Sequence, residues 1–550
     1  MRLKLSVENV YLAAVFSFLV FLGLGTLWNH QLKHDFPYGY FASDAFQHQT
    51  RAQGIKDAGN YKNEPFYIVF GIRNVVGYYP ALIYHLSAIL SYISGLEVYD
   101  TIYFLPFLFA SLASIIFYFC IRKLSTNVAI LSMPLAILLF YSGAYTGFTW
   151  GNWPSLLAQF FLIAFFWCLA NIDIEKSFLF FAFFLSAIIM SHTSEAIFGS
   201  LIAMAYVLYL LIKKRLTKGI IRNIIVGLLL MLIISSYYLI IFKYIWMARQ
   251  PYTLSVVKEW GAPTLYLKDL KLIIIILFGI GLISGIAMLI QLKNTNAFPF
   301  IISLLMLLFS YANYVGFGDR AFQIRYFWPI YISTLLGLSL YQIAKLIYKK
   351  WGITHSIVAS SVIFLILAFS NLSFLPTYKK ISSQGIMDGL HWSALNWLGK
   401  NTEGNAVIYF FYGDVYNQDA VLRNSKRAHK LIVPQDYVDA IQKKEVRRFY
   451  DTESPGDGGG GAAIRNGIFS FVFRLDEIEK ELAGKKDICQ YNYYVFDKKA
   501  SQPVLAQYNL VIANEMLKRD FIKPVYDNEM SLVLKNNKPG GDCIEQRAFG

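Results

Sequence analysis

The sequence predicts an all-α membrane protein of about eleven transmembrane helices followed by a small external α/β domain, and three observations predict it. Apolar residues make up 56% of the 550 residues and charged residues only 15%, against roughly 25% charged in an average soluble domain. The deficit is uneven: from Tyr11 to about Asn371 apolar runs alternate with short polar breaks, whereas from Pro376 onward the composition is that of a soluble protein. The basic residues cluster beside apolar runs, as in "KKRLTKGIIR", "IRK" and "KLIYKK". The net charge of +15 therefore reads as a positive-inside signature, with no aromatic-basic surface for nucleic acid.

The apolar runs cover residues 11–27, 101–121, 128–145, 154–172, 178–190, 196–212, 224–245, 272–291, 298–314, 327–347 and 356–370. They are too long and continuous for barrel strands, and a lone helix satisfies all its backbone groups internally. The run 178–190 is short unless it extends to Ser194. The first run follows Arg2 and Lys4 and is not followed by a small-residue cleavage site, so it reads as a retained signal-anchor. Residues 78–95 are apolar enough to cross, yet counting them would place Arg122, Lys123 and Lys213 to Arg222 on the side opposite Arg2 and Lys4. Treating this stretch as a surface helix puts all these groups inside. The resulting plan is a membrane domain over 1–374, with a long first external loop over 28–100 that holds the surface helix, and an external domain over 375–550. The N-terminus is then cytoplasmic in a multi-pass cell-membrane protein, and the C-terminal domain is extracellular or periplasmic. Trp28, Trp150, Trp153, Trp246, Trp260 and Trp328 fall near the external interface, where an aromatic belt is expected.

In the C-terminal domain "LHWSALNWLGKN" has the apolar spacing of an amphipathic helix, and "LDEIEKELAG" reads as a short helix with a glycine stop. "NAVIYFFY", "FSFVFRL", "YNYYVFDK" and "MSLVLKN" read as strands. The glycine-rich loop 454–463 is either disordered or a gate that orders over a substrate, and it lacks the G-K-[ST] of a phosphate loop. Cys120 and Cys168 read as apolar filler, while Cys489 and Cys543 can pair if their domain faces an oxidising compartment.

Ionisable groups at or near the spans carry the functional signal, because charge in lipid is costly and turns toward a cavity or the protein interior. Asp44, His48 and Arg51 are spaced four and three apart and share one face of a helix. Asp44 there can take a proton from a sugar hydroxyl, or ligate a divalent cation (Mg or Mn) with His48 as a second ligand. The plainer reading makes Asp44 a helix cap and His48 a packing residue. His192 and Glu195 lie in a break between two spans. Capping by Ser191 or Thr193 accounts for Thr193 and Glu195 but leaves His192 unexplained. Arg320 and Arg325 are external arginines that run against the charge rule. Their guanidinium groups suit a lipid phosphate, or else pair with Asp319 or reach headgroups. Trp150 and Trp153 either present faces to sugar rings or anchor at the interface. The candidate site is thus Asp44, His192 and Glu195 as catalytic groups, with His48, Arg51, Trp150, Trp153, Arg320 and Arg325 binding substrate.

With "SDAFQHQTRAQGI" after the first span, "YYPALIYHLSAIL" as a surface helix, and the segments "WGNWPSLLAQFFL" and "IIMSHTSEAI", the chain resembles the GT-C superfamily of membrane glycosyltransferases. "LHWSALNWLGKNTEGNAVIYFF" and "FIKPVYDNEMSLVLK" are similar to the soluble domain of oligosaccharyltransferases. The resemblance implies a GT-C-like helix arrangement, a polyprenyl phosphate or diphosphate donor, and Asp44 at the family's key Asp. "YGDVYNQDA" stands where oligosaccharyltransferases carry Trp-Trp-Asp-Tyr-Gly, and the second external loop lacks an acidic pair. Transfer to asparagine is therefore not implied, and metal dependence stays open.

These readings converge on an enzyme that transfers a sugar from a polyprenyl-linked donor to a glycan, lipid or protein acceptor at the external membrane face. Inversion is expected, with Asp44 as general base. The alternatives are a transporter or flippase of lipid-linked glycans, for which paired repeats would be expected, and a non-catalytic GT-C-like assembly protein.

Overall fold

The computed structural model describes residues 6–29, 35–59, 80–140, 147–236, 238, 272–290, 297–310, 326–348, 350–370, 384–432, 437, 447 and 487–545. In chain order the helices are α1 Val7–Asn29, α2 Ser43–Ala58, α3 Leu82–Ser94, α4 Val98–Arg122, α5 Thr126–Ser132, α6 Trp153–Ala170, α7 Ser177–Ile189, α8 Thr193–Ile212 and α9 Lys218–Ile234. They continue with α10 Leu272–Ile290, α11 Phe298–Phe309, α12 Ser333–Ile347 and α13 Ile353–Ser370. Each of the apolar runs contains helix. Among the described residues, five helical segments are long and apolar enough to cross a membrane: Val98–Arg122, Trp153–Ala170, Glu195–Ile212, Leu272–Ile290 and Trp328–Ile347.

The third run differs from a regular helix. After α5 it winds as a 3-10 helix over Met133–Phe140. Pro134 has no N–H to give the Ile130 carbonyl one turn back. Ser360 Oγ (2.8 Å) and Tyr11 Oη (3.5 Å) donate to that carbonyl instead, as expected where water cannot do so.

α6 lies at the centre of the bundle and packs against α4, α7 and α8. Close approach between other helices depends on small residues: a Cβ at Gly281 of α10 would lie 2.0 Å from the Leu335 carbonyl oxygen of α12.

The two ends of the bundle can be told apart. Glu8, at the start of α1, accepts from Tyr118 Oη at 2.6 Å and pairs with Arg122 at 3.2 Å, both near the end of α4. At the other end Tyr40 Oη, between α1 and α2, donates to the Tyr99 carbonyl at the start of α4. α3 stays at this second end. The Leu82 amide donates to the Met190 carbonyl, Ser87 bonds Thr101, and Ser91 and Tyr92 bond Lys56 of α2.

The C-terminal unit comprises α14 Gly389–Asn401, β1 Val407–Phe410, α15 Asp419–Leu422, β2 Ala428–Leu431, β3 Tyr493–Asp497, α16 Pro503–Leu517, β4 Ile522–Asp527 and β5 Ser531–Asn536. Strand order is β2-β1-β3-β5-β4, with β1 parallel to β2 and β3 and the remaining pairs antiparallel. β1 and β3 are buried along their whole length, which requires cover on both faces. Ile408, Phe410 and Val495 face Leu395 and Leu398 of α14, in one core with the helix bundle. Val407, Tyr409, Tyr494 and Phe496 face Ile512, Ala513 and Met516 of α16. Cys489 and Cys543 form a disulfide. The loop 454–463, "FSFVFRL" and "LDEIEKELAG" lie outside the described residues.

This unit is seated on the segment that leads into α2. The Gly39 amide donates to Gln384 O, and the Ile386 amide to Tyr40 O at 2.8 Å. Lys426 pairs with Asp57 of α2 at 2.5 Å, and α15 packs on α2.

Candidate active site

α2 begins with Ala42 as its N-cap, which contributes no side-chain bond. Asp44 therefore does not cap the helix. It lies exposed in the first turn, where the helix dipole favours a carboxylate. The middle of α2 is buried, including His48, Gln49, Thr50, Arg51 and Ala52. The spacing of four and three does form a helix here, but it leads from an exposed Asp44 inward to a buried His48 and Arg51.

The loop ahead of α6 closes over this first turn. Gly151 has φ +88°, and a Cβ there would lie 2.3 Å from the Ala45 amide nitrogen and 2.7 Å from the Asp44 carbonyl carbon. Glycine is needed on both counts. The Phe41 amide donates to Thr149 O at 3.0 Å. At the other side of the same loop, Gly147 packs on the ring of Tyr326, 2.5 Å from where its Cβ would be. Tyr326 follows directly on Arg325, which with Asp319 and Arg320 lies outside the described residues. The loop thus joins the Asp44 turn to Tyr326, ahead of α12.

The two tryptophans of the loop separate. Trp150 is 47% exposed beside this turn. Trp153 is fully buried, its indole nitrogen donates to Phe148 O at 2.7 Å, and its ring packs edge-on against Tyr40 and Tyr103. This corrects the expectation of a sugar-facing ring at Trp153, which holds the loop to the core.

His48 Nδ1 bonds Tyr84 Oη of α3 at 2.6 Å, with the two rings stacked. Burial, reinforced by Arg51 and His192, lowers its pKa to about 3, so the imidazole is neutral. Among the described residues, no group of three or more His, Cys, Asp and Glu side chains is arranged to hold a metal. A cation on Asp44 would draw its further ligands from substrate or from residues outside this set.

The N-cap of α8 is His192, again without a side-chain cap bond, while Ser191 Oγ donates back to Ala187 O. Capping by Ser191 is therefore not what shapes this break. His192 Nδ1 meets Glu195 Oε2 at 2.5 Å. The other carboxylate oxygen accepts from Ser155 Oγ at 2.6 Å and Gln159 Nε2 at 3.4 Å.

No protein-family model matches the chain, and no curated protein does. Solved structures do. The oligosaccharyltransferase of Archaeoglobus fulgidus aligns over 92% of this chain and 72% of its own, at 10% identity and a TM-score of 0.53. ArnT from Cupriavidus metallidurans aligns over 96% and 97%, at 11% identity and 0.53. The mycobacterial arabinofuranosyltransferase AftD aligns over 98% of this chain and 40% of its own, at 11% identity and 0.51. All three are GT-C glycosyltransferases. The chain has the GT-C fold.

Within the GT-C fold, sequence reasoning did not single out Ser155, Gln159, Tyr84 or Gly151. Ser155 and Gln159 left a signal. They are polar residues one turn apart in the otherwise apolar "WPSLLAQFFLIAFF", and polar groups in such a helix need partners. Tyr84 and Gly151 left no comparable signal, since their roles depend on which elements meet.

Proposed function

We propose that the chain is a membrane glycosyltransferase that moves a sugar from a polyprenyl phosphate or diphosphate carrier to a glycan, lipid or protein acceptor at the external face. In this reading all eleven apolar runs cross the bilayer, with the N-terminus cytoplasmic and the C-terminal unit outside. The GT-C fold supports the reaction class, and ArnT, whose fold this chain shares, has been solved with undecaprenyl phosphate bound. The Cys489–Cys543 disulfide supports an oxidising compartment for the C-terminal unit.

The observation that carries the assignment is Asp44, an exposed carboxylate at the head of a buried helix, enclosed by the Trp150 loop. Asp44 takes the proton of the acceptor hydroxyl as its oxygen attacks the anomeric carbon. The bond from that carbon to the phosphate oxygen breaks on the opposite side, and the phosphate leaves with the electron pair, so the centre inverts. Arg320 and Arg325, which precede Tyr326, hold the phosphate. Buried, neutral His48 shapes the wall behind Asp44, and Trp150 offers its ring to a sugar.

Asp44→Asn, in full-length protein in lipid nanodiscs, is expected to lower transfer from a radiolabelled lipid-linked sugar by roughly 100-fold or more, the scale of a lost general base. Protein yield should be unchanged. Near-normal turnover by this variant would remove Asp44 from the chemistry.

A further inference from the structure

The Glu195 side chain is buried and engaged on both oxygens, by Ser155 and Gln159 on one and His192 on the other. Gln159 must present its nitrogen here, because its oxygen would oppose a carboxylate with a second acceptor. That orientation leaves Gln159 Oε1 buried without a hydrogen-bond partner among the described residues, as is the hydroxyl of Tyr331. Glu195 is thus a fixed acceptor within a polar pocket of α6 and α8.

The consequence falls on His192. A carboxylate accepts and does not donate, so Nδ1 of His192 carries a proton. A buried carboxylate needs a counter-charge, and among the described residues His192 is the sole ion-pair partner of Glu195. Burial alone would lower the imidazole pKa, but the charge and hydrogen bond of Glu195 outweigh it and raise the pKa above its ordinary value. Among the described residues, the other titratable groups that interact electrostatically with the pair are His48 on α2 and Tyr331 ahead of α12. With Nδ1 committed to Glu195, that nitrogen of His192 cannot act as a base. Its side chain is 25% exposed, so it can reach a ligand.

We propose that His192 donates its Nε2–H to the phosphate of the lipid donor, and that Glu195, Ser155 and Gln159 are positioning residues that hold it in that role. The assignment rests on the glycosyltransferase reading above. It divides the labour at the site: Asp44 accepts the acceptor's proton, while His192 meets the charge that develops on the departing oxygen.

The test is binding of a polyprenyl monophosphate to the full chain in nanodiscs between about pH 6 and pH 8. Affinity is compared with the wild type at the same pH, because the lipid phosphate itself gains its second charge near about pH 6. In Glu195→Gln it should weaken relative to the wild type as pH rises through the ordinary histidine range near 6.5. In His192→Gln it should be weaker roughly tenfold at every pH, the scale of one charge-assisted hydrogen bond. Nitrogen NMR of histidine-labelled protein reads the charge directly, with His192 losing its charge at a higher pH in the wild type than in Glu195→Gln. Wild-type binding that is unchanged in His192→Gln would overturn this role alone. A wild-type chain that does not bind the lipid would overturn the glycosyltransferase reading, and this role with it.

Discussion

At the residue scale the site is a set of ionisable groups pushed apart by their surroundings. Two histidines are pushed in opposite directions: burial lowers the pKa of His48, which stacks on a tyrosine, and Glu195 outweighs burial to raise that of His192. The sequence singles out Asp44, His192 and Glu195 as candidates because charged groups beside apolar runs need a reason. The way Glu195 is held was not legible, since it depends on Ser155 and Gln159 reaching it from another helix. A second buried histidine illustrates the same physics outside the site. His391 Nδ1 pairs with Asp388, and Nε2 lies 3.3 Å from buried Asp497. Burial works against its charged form, but the two carboxylates outweigh burial and raise its pKa to about 9. The stability this cluster contributes is therefore full below the ordinary histidine value near 6.5 and is lost as pH rises through about 9, at most about 3 kcal/mol. Thermal melts should be level below pH 6.5 and fall toward pH 9 in the wild type. His391→Gln should lower the melting temperature at neutral pH and flatten that fall.

At the element scale, the proposed function depends on how α2 is enclosed. α3 packs along one side, α15 sits on another, and the loop before α6 closes the first turn. The charge pattern predicts a surface helix at α3, because Lys and Arg can then all be kept on one side. The 3-10 segment after α5 had its signal in Pro134. β2 has only four residues and no alternation, so it left little to read. α16 has a signal in the sequence, with Pro503 at its start and Leu505, Ile512 and Met516 inward. Gly151 gives the sharpest test at this scale. Gly151→Ala is expected to destabilise by about 2 kcal/mol, because the new Cβ meets backbone of α2 and the positive φ is strained. Because the displaced atoms belong to the Asp44 turn, transfer should fall by more than stability predicts, measured as turnover per folded molecule. A variant with normal turnover would show that the loop does not set the position of Asp44.

For the whole molecule, hydropathy and charge made the membrane bundle and its attached α/β unit legible, while the way they join was not. One face of the sheet shares a core with the helices, and the segment before α2 pairs with residues 384–386. The C-terminal unit is thus part of the wall around α2. The central claim is that this GT-C fold takes a polyprenyl-linked sugar and transfers it at the Asp44 turn. It is tested most directly by identifying the lipids that copurify with wild-type and Asp44→Asn protein. The account predicts a sugar-bearing polyprenyl phosphate or diphosphate retained by Asp44→Asn, and the same carrier without its sugar on the wild type. An intact lipid-linked glycan on both forms, or no polyprenyl lipid on either, would contradict it.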